Sequence, residues 1–272
     1  MEKKRILYVS QEITPYLDES EISKVALTLP KKMNEKGHEV RVFMPRFGVI
    51  NERRHQLHEV IRLSGINIVV NDMDQPLIIK VASVPSARIQ VYFIDNEEYF
   101  KRKSVFFDDK GKFHEDNDER ALFFCRGVIE TVKKLGWSPD IIHVHGWMAS
   151  LLPLYLKEFH SDDPLFTDTK VISSVYSFDY CEPFSKKLIN GLNFDGVHND
   201  HIKHFENADV DCLSKAGIRY SDAVMRHQNV NGSLASLIEE LHPNALTVGN
   251  VADEIAEIER FYEQVTQEAI AL

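Results

Sequence analysis

The chain has 272 residues, enough for one large α/β domain or two small ones, and its hydrophobic and charged fractions are those of a soluble globular protein. A formal net charge of -10 excludes nucleic acid and anionic membrane surfaces as main partners, because both demand clustered Lys and Arg. Cys125, Cys181 and Cys212 are too few and too widely spaced for a disulfide framework or a metal knuckle. With no leader-like start and no apolar run of membrane-spanning length, the expected location is the reducing cytoplasm.

Residues 5–9 form a short β-rich run, and Ile22, Val25, Leu29 and Met33 follow at helical spacing. Gly37 stops that helix and residues 39–44 read as the next strand, so the first two strands are parallel and joined by a crossover. Residues 57–84 hold several short β-like runs broken by Gly65, Asn71-Asp72 and Pro76, which predicts antiparallel excursions from the main sheet. A strand at 89–94 follows. Asp118 is placed to cap a long helix whose buried face is Leu122, Cys125, Ile129 and Val132, ending at Gly136. Pro139-Asp140 leads into a strand at 141–145, then a helix at 147–159 and a strand at 170–175. Residues 178–207 read as irregular and rich in Asp, His and Asn, and regular pattern returns at 213–224. Residues 252–272 form an amphipathic helix with Ile255, Ile258, Tyr262, Val265 and Ala269 on one face. The expected architecture is a doubly wound, mostly parallel α/β sheet over residues 1–251, with the helix of residues 252–272 packed on it.

Ligands in such sheets bind at the carboxyl ends of strands, so the loops there carry the function. The first of them, with Glu12, Pro15, Val25, Leu29 and Pro30, fits the frame S-E-x-x-P-x-x-K-T-G-G-L-x-D-V-x-x-x-L-P. Gly37-His38-Glu39-Val40-Arg41-Val42 and Met44-Pro45-Arg46-Phe47-Gly48 parallel G-H-D-V-R-V and L-P-R-Y-G. Asp116-Asn117-Asp118-Glu119-Arg120 parallels D-N-x-x-R-F, and residues 139–147 parallel P-D-V-V-H-A-H-D-W. Residues 213–222 parallel F-L-K-A-G-L-x-Y-A-D. Six strings in order over residues 4–224 make the chain resemble the N-terminal half of the bacterial glycogen synthase and starch synthase family.

That resemblance implies a GT-B glycosyltransferase fold and glucose transfer from ADP-glucose, or UDP-glucose, to the non-reducing end of an α-1,4-glucan, without metal or other cofactor. It implies that His145 contacts the transferred sugar, and it offers Asp116, Asn117, Arg120 and Trp147 as substrate-binding residues. Asp116, Asn117 and Arg120 suit a capping network equally well, and Trp147 suits core packing. Gly146 and Met148 stand where the family has Asp and His, and Ser174-Val175-Tyr176-Ser177 replaces its T-x-H-N. The largest departure is in the phosphate loop. Asp18-Glu19-Ser20-Glu21 replaces K-T-G-G and Lys24 replaces an Asp, so three acids and no glycine stand where the resemblance places a diphosphate. Acids there suit the positive end of a helix, with Asp18 or Ser20 as its cap.

His198, His201 and His204 rotate around a helix by roughly 60° per step. Two of them with Asp195 or Asp200 would make a metal pair, but solvated loop histidines are the plainer reading and no metal is expected. After Val251 the sequence holds only the helix-like residues 252–272 and no E-x7-E pair, so no donor-binding domain is expected. The sequence therefore predicts a glycogen synthase-like protein of glucan metabolism, degenerate as a stand-alone enzyme and acting in glucan binding or regulation. The alternatives are a transferase half completed by a separate donor-binding chain, or a protein-interaction module. α-Glucan and nucleotide sugar are the small-molecule ligands at issue, and a protein partner or second copy stays open.

Overall fold

The computed structural model describes residues 3–267. Its strands are β1 (Arg5–Ser10), β2 (Glu39–Pro45), β3 (His58–Glu59), β4 (Ile66–Val70), β5 (Met73–Val84), β6 (Ile89–Asp95), β7 (Ile141–His145), β8 (Lys170–Val175), β9 (Ala223–His227) and β10 (Leu246–Val248). The helices are α1 (Glu21–Glu35), α2 (Glu52–His55), α3 (Glu97–Phe100), α4 (Asn117–Leu135), α5 (Leu152–Phe159), α6 (Lys187–Asp195), α7 (Asn199–Ile202), α8 (Val210–Tyr220), α9 (Gly232–Leu241) and α10 (Ile255–Gln267).

The sheet runs β10-β9-β8-β7-β1-β2-β6-β5-β3, parallel from β10 to β6, with β5 antiparallel to β6 and to β3. β4 pairs with β5 alone. The expected doubly wound parallel sheet with antiparallel excursions is therefore the observed one. The chain builds outward from β1 through β2 to β6 and then returns to lay β7, β8, β9 and β10 on the other side of β1. The topological switch point thus lies between β1 and β7, where Ser10 is in register with His145. Both central strands are buried because helices cover both faces: every residue of β7 is buried, and so are Ile6 to Ser10 of β1.

Several boundaries differ from the sequence expectation. Asp116, not Asp118, takes the N-cap position of α4, and its carboxylate pairs with Arg102 rather than with the helix. Asp118 is buried instead and accepts from Ser185 Oγ at 2.7 Å. Residues 147–159 divide into a 3-10 turn, Trp147–Ala149, and α5. The stretch read as irregular contains α6 and α7, which sequence reading missed because α6 buries only Leu188, Gly191 and Leu192. In α10, Ile255, Ile258, Tyr262 and Val265 are buried as the stripe predicted, joined by Phe261 and Glu259, while Ala269 lies outside the described residues. α10 sits beside α1 and reaches the sheet centre: Tyr262 Oη lies 2.6 Å from His143 Nδ1 and 3.2 Å from Tyr8 Oη.

Candidate functional site at the switch point

The loop from β1 to α1 ends in a closed cap. Ser20 Oγ accepts from Ser23 N at 3.0 Å, and Ser23 Oγ accepts from Ser20 N at 2.8 Å. The box is closed by two serines, and Asp18 contributes only its carbonyl, to Ser23 Oγ. Ser20 Oγ also donates to Glu12 Oε2 at 2.5 Å, which ties the loop back to the end of β1. Glu19 is exposed and pairs with Lys24 at 3.0 Å. Glu21 lies 3.2 Å from Nδ1 of His227, a residue at the end of β9 with 1% exposure. That contact holds the Glu21 carboxyl below its usual range, against the opposing effect of burial.

His227 stacks on Tyr176, ring centroids 4.1 Å apart, and Tyr176 Oη meets His145 Nδ1 at 2.8 Å. His145 is fully buried and its Nε2 has no hydrogen-bond partner among the described residues. Its ring lies 4.2 Å from that of His143, which is held between Tyr262 Oη and Ser174 Oγ. Burial above all, with the neighbouring imidazoles of His143 and His227 adding to it, holds the His145 pKa well below the usual histidine value. His145 is therefore a neutral imidazole with one nitrogen unused, able to donate or accept one hydrogen bond. The void behind Gly146 and Ser174 measures about 10 Å³, room for no more than a water molecule.

Trp147 is fully buried among Phe106, Phe113 and Phe184, and its Nε1 donates to Tyr180 Oη at 3.0 Å. This is aromatic packing; the indole presents no surface to a ligand. Asn117 and Arg120 are likewise fully buried. Asn117 Nδ2 donates to the Phe106 carbonyl at 2.9 Å, and Arg120 Nη1 donates to the Val105 carbonyl at 2.7 Å and to Asn117 Oδ1 at 2.6 Å. Arg120 also lies over the rings of Phe47 and Phe100. With Asp116 engaged by Arg102, the D-N-x-x-R string holds the 105–106 backbone in place.

That backbone forms one wall of a cavity of about 580 Å³ at this edge of the sheet, within the ~300–1,000 Å³ of small-molecule sites. Its other walls are the 15–20 loop, with Glu12 and Tyr16, and the segment Val49, Asn51, Arg54 and His55. Tyr16 is 6% exposed, and its buried hydroxyl has no hydrogen-bond partner among the described residues. α2 is fixed there because Glu52 is held by Arg46 from the end of β2 and by Lys80 Nζ at 2.8 Å. Gly48 lets the turn pass under the 101–102 backbone, since a Cβ at this position would lie 2.1 Å from the Lys101 carbonyl oxygen.

The structure thus brings Ser20, Glu21, His145 and Tyr176 to the switch point and Asp18 and Glu19 to the cavity rim. It uses Asp116, Asn117, Arg120 and Trp147 as framework. Sequence reading missed His227, Tyr16, Asn51, Arg54 and His55. Of these, only Tyr16 lies within a string that matched the family frame, at a position that frame leaves free. His201 and His204 share the Tyr220 hydroxyl, each at 2.9 Å, and His201 Nε2 meets Glu158 at 3.1 Å. Among the described residues no group of three or more His, Cys, Asp or Glu is arranged to hold a metal. No helix among them is long and apolar enough to cross a membrane.

Comparison with known proteins agrees with this geometry. Residues 5–227 match the family model described as the starch synthase catalytic domain. A glycogen synthase of Chlorobium limicola is 34% identical over 245 residues, covering 87% of this chain and 50% of the relative. A glycogen synthase of Chlorobaculum tepidum is 41% identical over 221 residues, covering 81% of this chain and 45% of the relative. The chain spans about half the length of the curated relatives it matches. The catalytic domain of starch synthase IV from Arabidopsis thaliana, solved bound to ADP and acarbose, superposes with a TM-score of 0.75 at 18% identity, covering 92% of this chain and 52% of that one. The ordered strings, the switch point between β1 and β7 and the family match over most of the chain agree, and the chain belongs to the starch synthase catalytic domain family, that of the glycogen synthases.

Proposed function

We propose that this chain binds an α-1,4-glucan in the cavity between the 15–20 loop, α2 and the 105–106 segment, and that it does not hold a nucleotide sugar by its diphosphate at the N-terminus of α1. The observation that carries the reading is the state of that helix end: Ser20 caps it, and Asp18, Glu19 and Glu21 surround it. A diphosphate brought there meets like charge, which costs affinity, whereas a neutral sugar does not. The cavity suits a sugar in two ways. Val49, Val105 and Phe106 offer apolar surface to a ring face, and Tyr16, Asn51, Arg54 and Glu12 offer donors and acceptors for hydroxyls. A buried tyrosine hydroxyl without a partner is an unusual expense in a folded protein, and a sugar hydroxyl would satisfy it. The relatives are glycogen synthases, and the structural neighbour holds ADP and acarbose, so the ligand classes to compare are sugar chain and nucleotide.

Calorimetric titration with maltoheptaose and with ADP-glucose, separately, tests this. Maltoheptaose should bind, and Tyr16→Phe should weaken it several-fold by removing one buried hydrogen bond of about 1 kcal/mol. ADP-glucose should give no heat at millimolar concentration, and the chain alone should incorporate no labelled glucose from ADP-glucose into glycogen. Tight ADP-glucose binding without maltoheptaose binding would reverse the assignment.

A further inference from the structure

Glu21 and His227 form a contact that no matched string contains. Glu21 is the first residue of a helix of 15 residues, so its carboxylate stands at the positive end of the helix dipole. Of the first-turn amides, Ser23 N and Lys24 N are taken by Ser20, while Glu21 N and Ile22 N have no hydrogen-bond partner among the described residues. His227 faces this helix end from β9 with 1% exposure, and neither ring nitrogen has an aligned hydrogen-bond partner among the described residues. Glu21 Oε1 lies 3.2 Å from its Nδ1. A helix N-terminus with free amides and a buried imidazole aimed at it is an anion seat. In this chain the Glu21 carboxylate, itself part of the helix, contacts that imidazole.

We propose that Glu21 is a built-in occupant of an anion seat formed by the N-terminus of α1 and His227, and that it determines specificity by excluding free phosphate and diphosphate groups. The inference rests on the reading that the α1 terminus refuses nucleotide diphosphate, and it names the residue responsible. Neighbouring charges do not provide the same block. Glu19 is engaged by Lys24, Glu12 is engaged by Ser20 and Gln11, and Asp18 makes no side-chain bond to the helix end. Glu21 alone among these acids contacts the imidazole. Its removal leaves the two free amides and His227, the elements an external anion needs. Because Tyr176 links His227 to His145, an anion seated there would also perturb the His145 ring.

The probe is inorganic pyrophosphate, titrated into the parent chain, Glu21→Gln, Glu21→Gly and the double variant Glu21→Gly with His227→Gln. The parent should show no binding at millimolar concentration. Glu21→Gly should bind at least roughly tenfold more tightly, Glu21→Gln less so because its amide still fills the space, and the double variant should lose the gain. If the double variant does not fold, His227 is followed in Glu21→Gly by its ring 15N resonances, which must move on pyrophosphate addition. Equal binding by parent and Glu21→Gly, absence of binding by both, or unmoved His227 resonances would overturn the proposal. Maltoheptaose binding by the same variants is measured in parallel. Loss of sugar binding with the pyrophosphate gain intact would count against the glucan reading alone.

Discussion

At the scale of single residues, the substitutions that separate this chain from its family come in contacting sets. Gly146 stands where the family string has an acid, and its backbone has φ +85. An ideal Cβ there would lie 2.4 Å from Gln11 Cδ and Oε1, and Gln11 Oε1 accepts from Met148 N at 3.2 Å. Gln11 itself stands where the family string has Ser. The longer side chain has taken the space that a residue with a Cβ would need. Gly146→Asp alone should therefore destabilise the fold by about 1–3 kcal/mol, the sum of a clash and a strained φ. Combined with Gln11→Ser the clash disappears and only the strain remains. Urea unfolding of both single variants and the double should show a coupling of about 1 kcal/mol or more; simple additivity would mean that the two sites do not interact. None of this was legible in the sequence. Residues 11 and 146 meet only because β1 and β7 are neighbours, and Glu21 meets His227 only because the two strands beyond β7 bring β9 alongside.

At the scale of elements, legibility followed the strength of the local pattern. β1, β7 and β8 were readable because strands buried on both faces are continuous apolar runs, and α1, α4 and α10 because their apolar stripes repeat at helical spacing. β9 was merged with the end of α8 because only Ser221 and Asp222 separate them, and β10 has three residues, too few for a period. The role of α10 was only half visible: the stripe predicted burial, but not that Tyr262 would carry a hydroxyl to the sheet centre. On the same helix Glu259 meets Lys36 at 2.5 Å and His38 at 3.4 Å. Burial pushes the Glu259 carboxyl upward, yet these two partners hold it below its usual range. Tyr262→Phe keeps the packing and removes only the hydroxyl that meets His143 and Tyr8. It should cost about 1–3 kcal/mol in urea unfolding, since two buried polar groups lose a partner. A cost near zero would show that water or a rearranged Tyr8 replaces the bond.

At the scale of the whole molecule, the layer of aromatic and imidazole groups crossing the sheet connects parts that the sequence keeps far apart. Tyr262 of α10, Tyr8 of β1, His143 and His145 of β7, Tyr176 after β8 and His227 of β9 touch in succession. The fold class and the position of the site were legible because topology alone sets the switch point; this layer was not, because all of its contacts except His143 to His145 join different elements of the fold. It makes the molecule sensitive to acid. Burial holds His143 down at about 3, and holds His145 well below its usual value. In the unfolded chain both titrate near the ordinary ~6.5. A base whose folded pKa is depressed adds stability above the unfolded pKa, and that stability is lost as pH falls, because only the unfolded state takes up the proton. The loss therefore begins near pH 6.5 and continues toward about 3 for His143. Each excluded proton is worth ~1.4 kcal/mol per pH unit, so these two histidines should together remove about 2–3 kcal/mol between pH 7 and pH 5.5. Most carboxylates titrate below that window and leave it largely to the histidines. Urea unfolding at the two pH values should show the drop, with His145→Gln removing about 1–1.5 kcal/mol of it. Stability that stays level from pH 7 to 5.5 would mean that the layer opens enough to accept protons while folded, and His145 would then be reachable by a ligand.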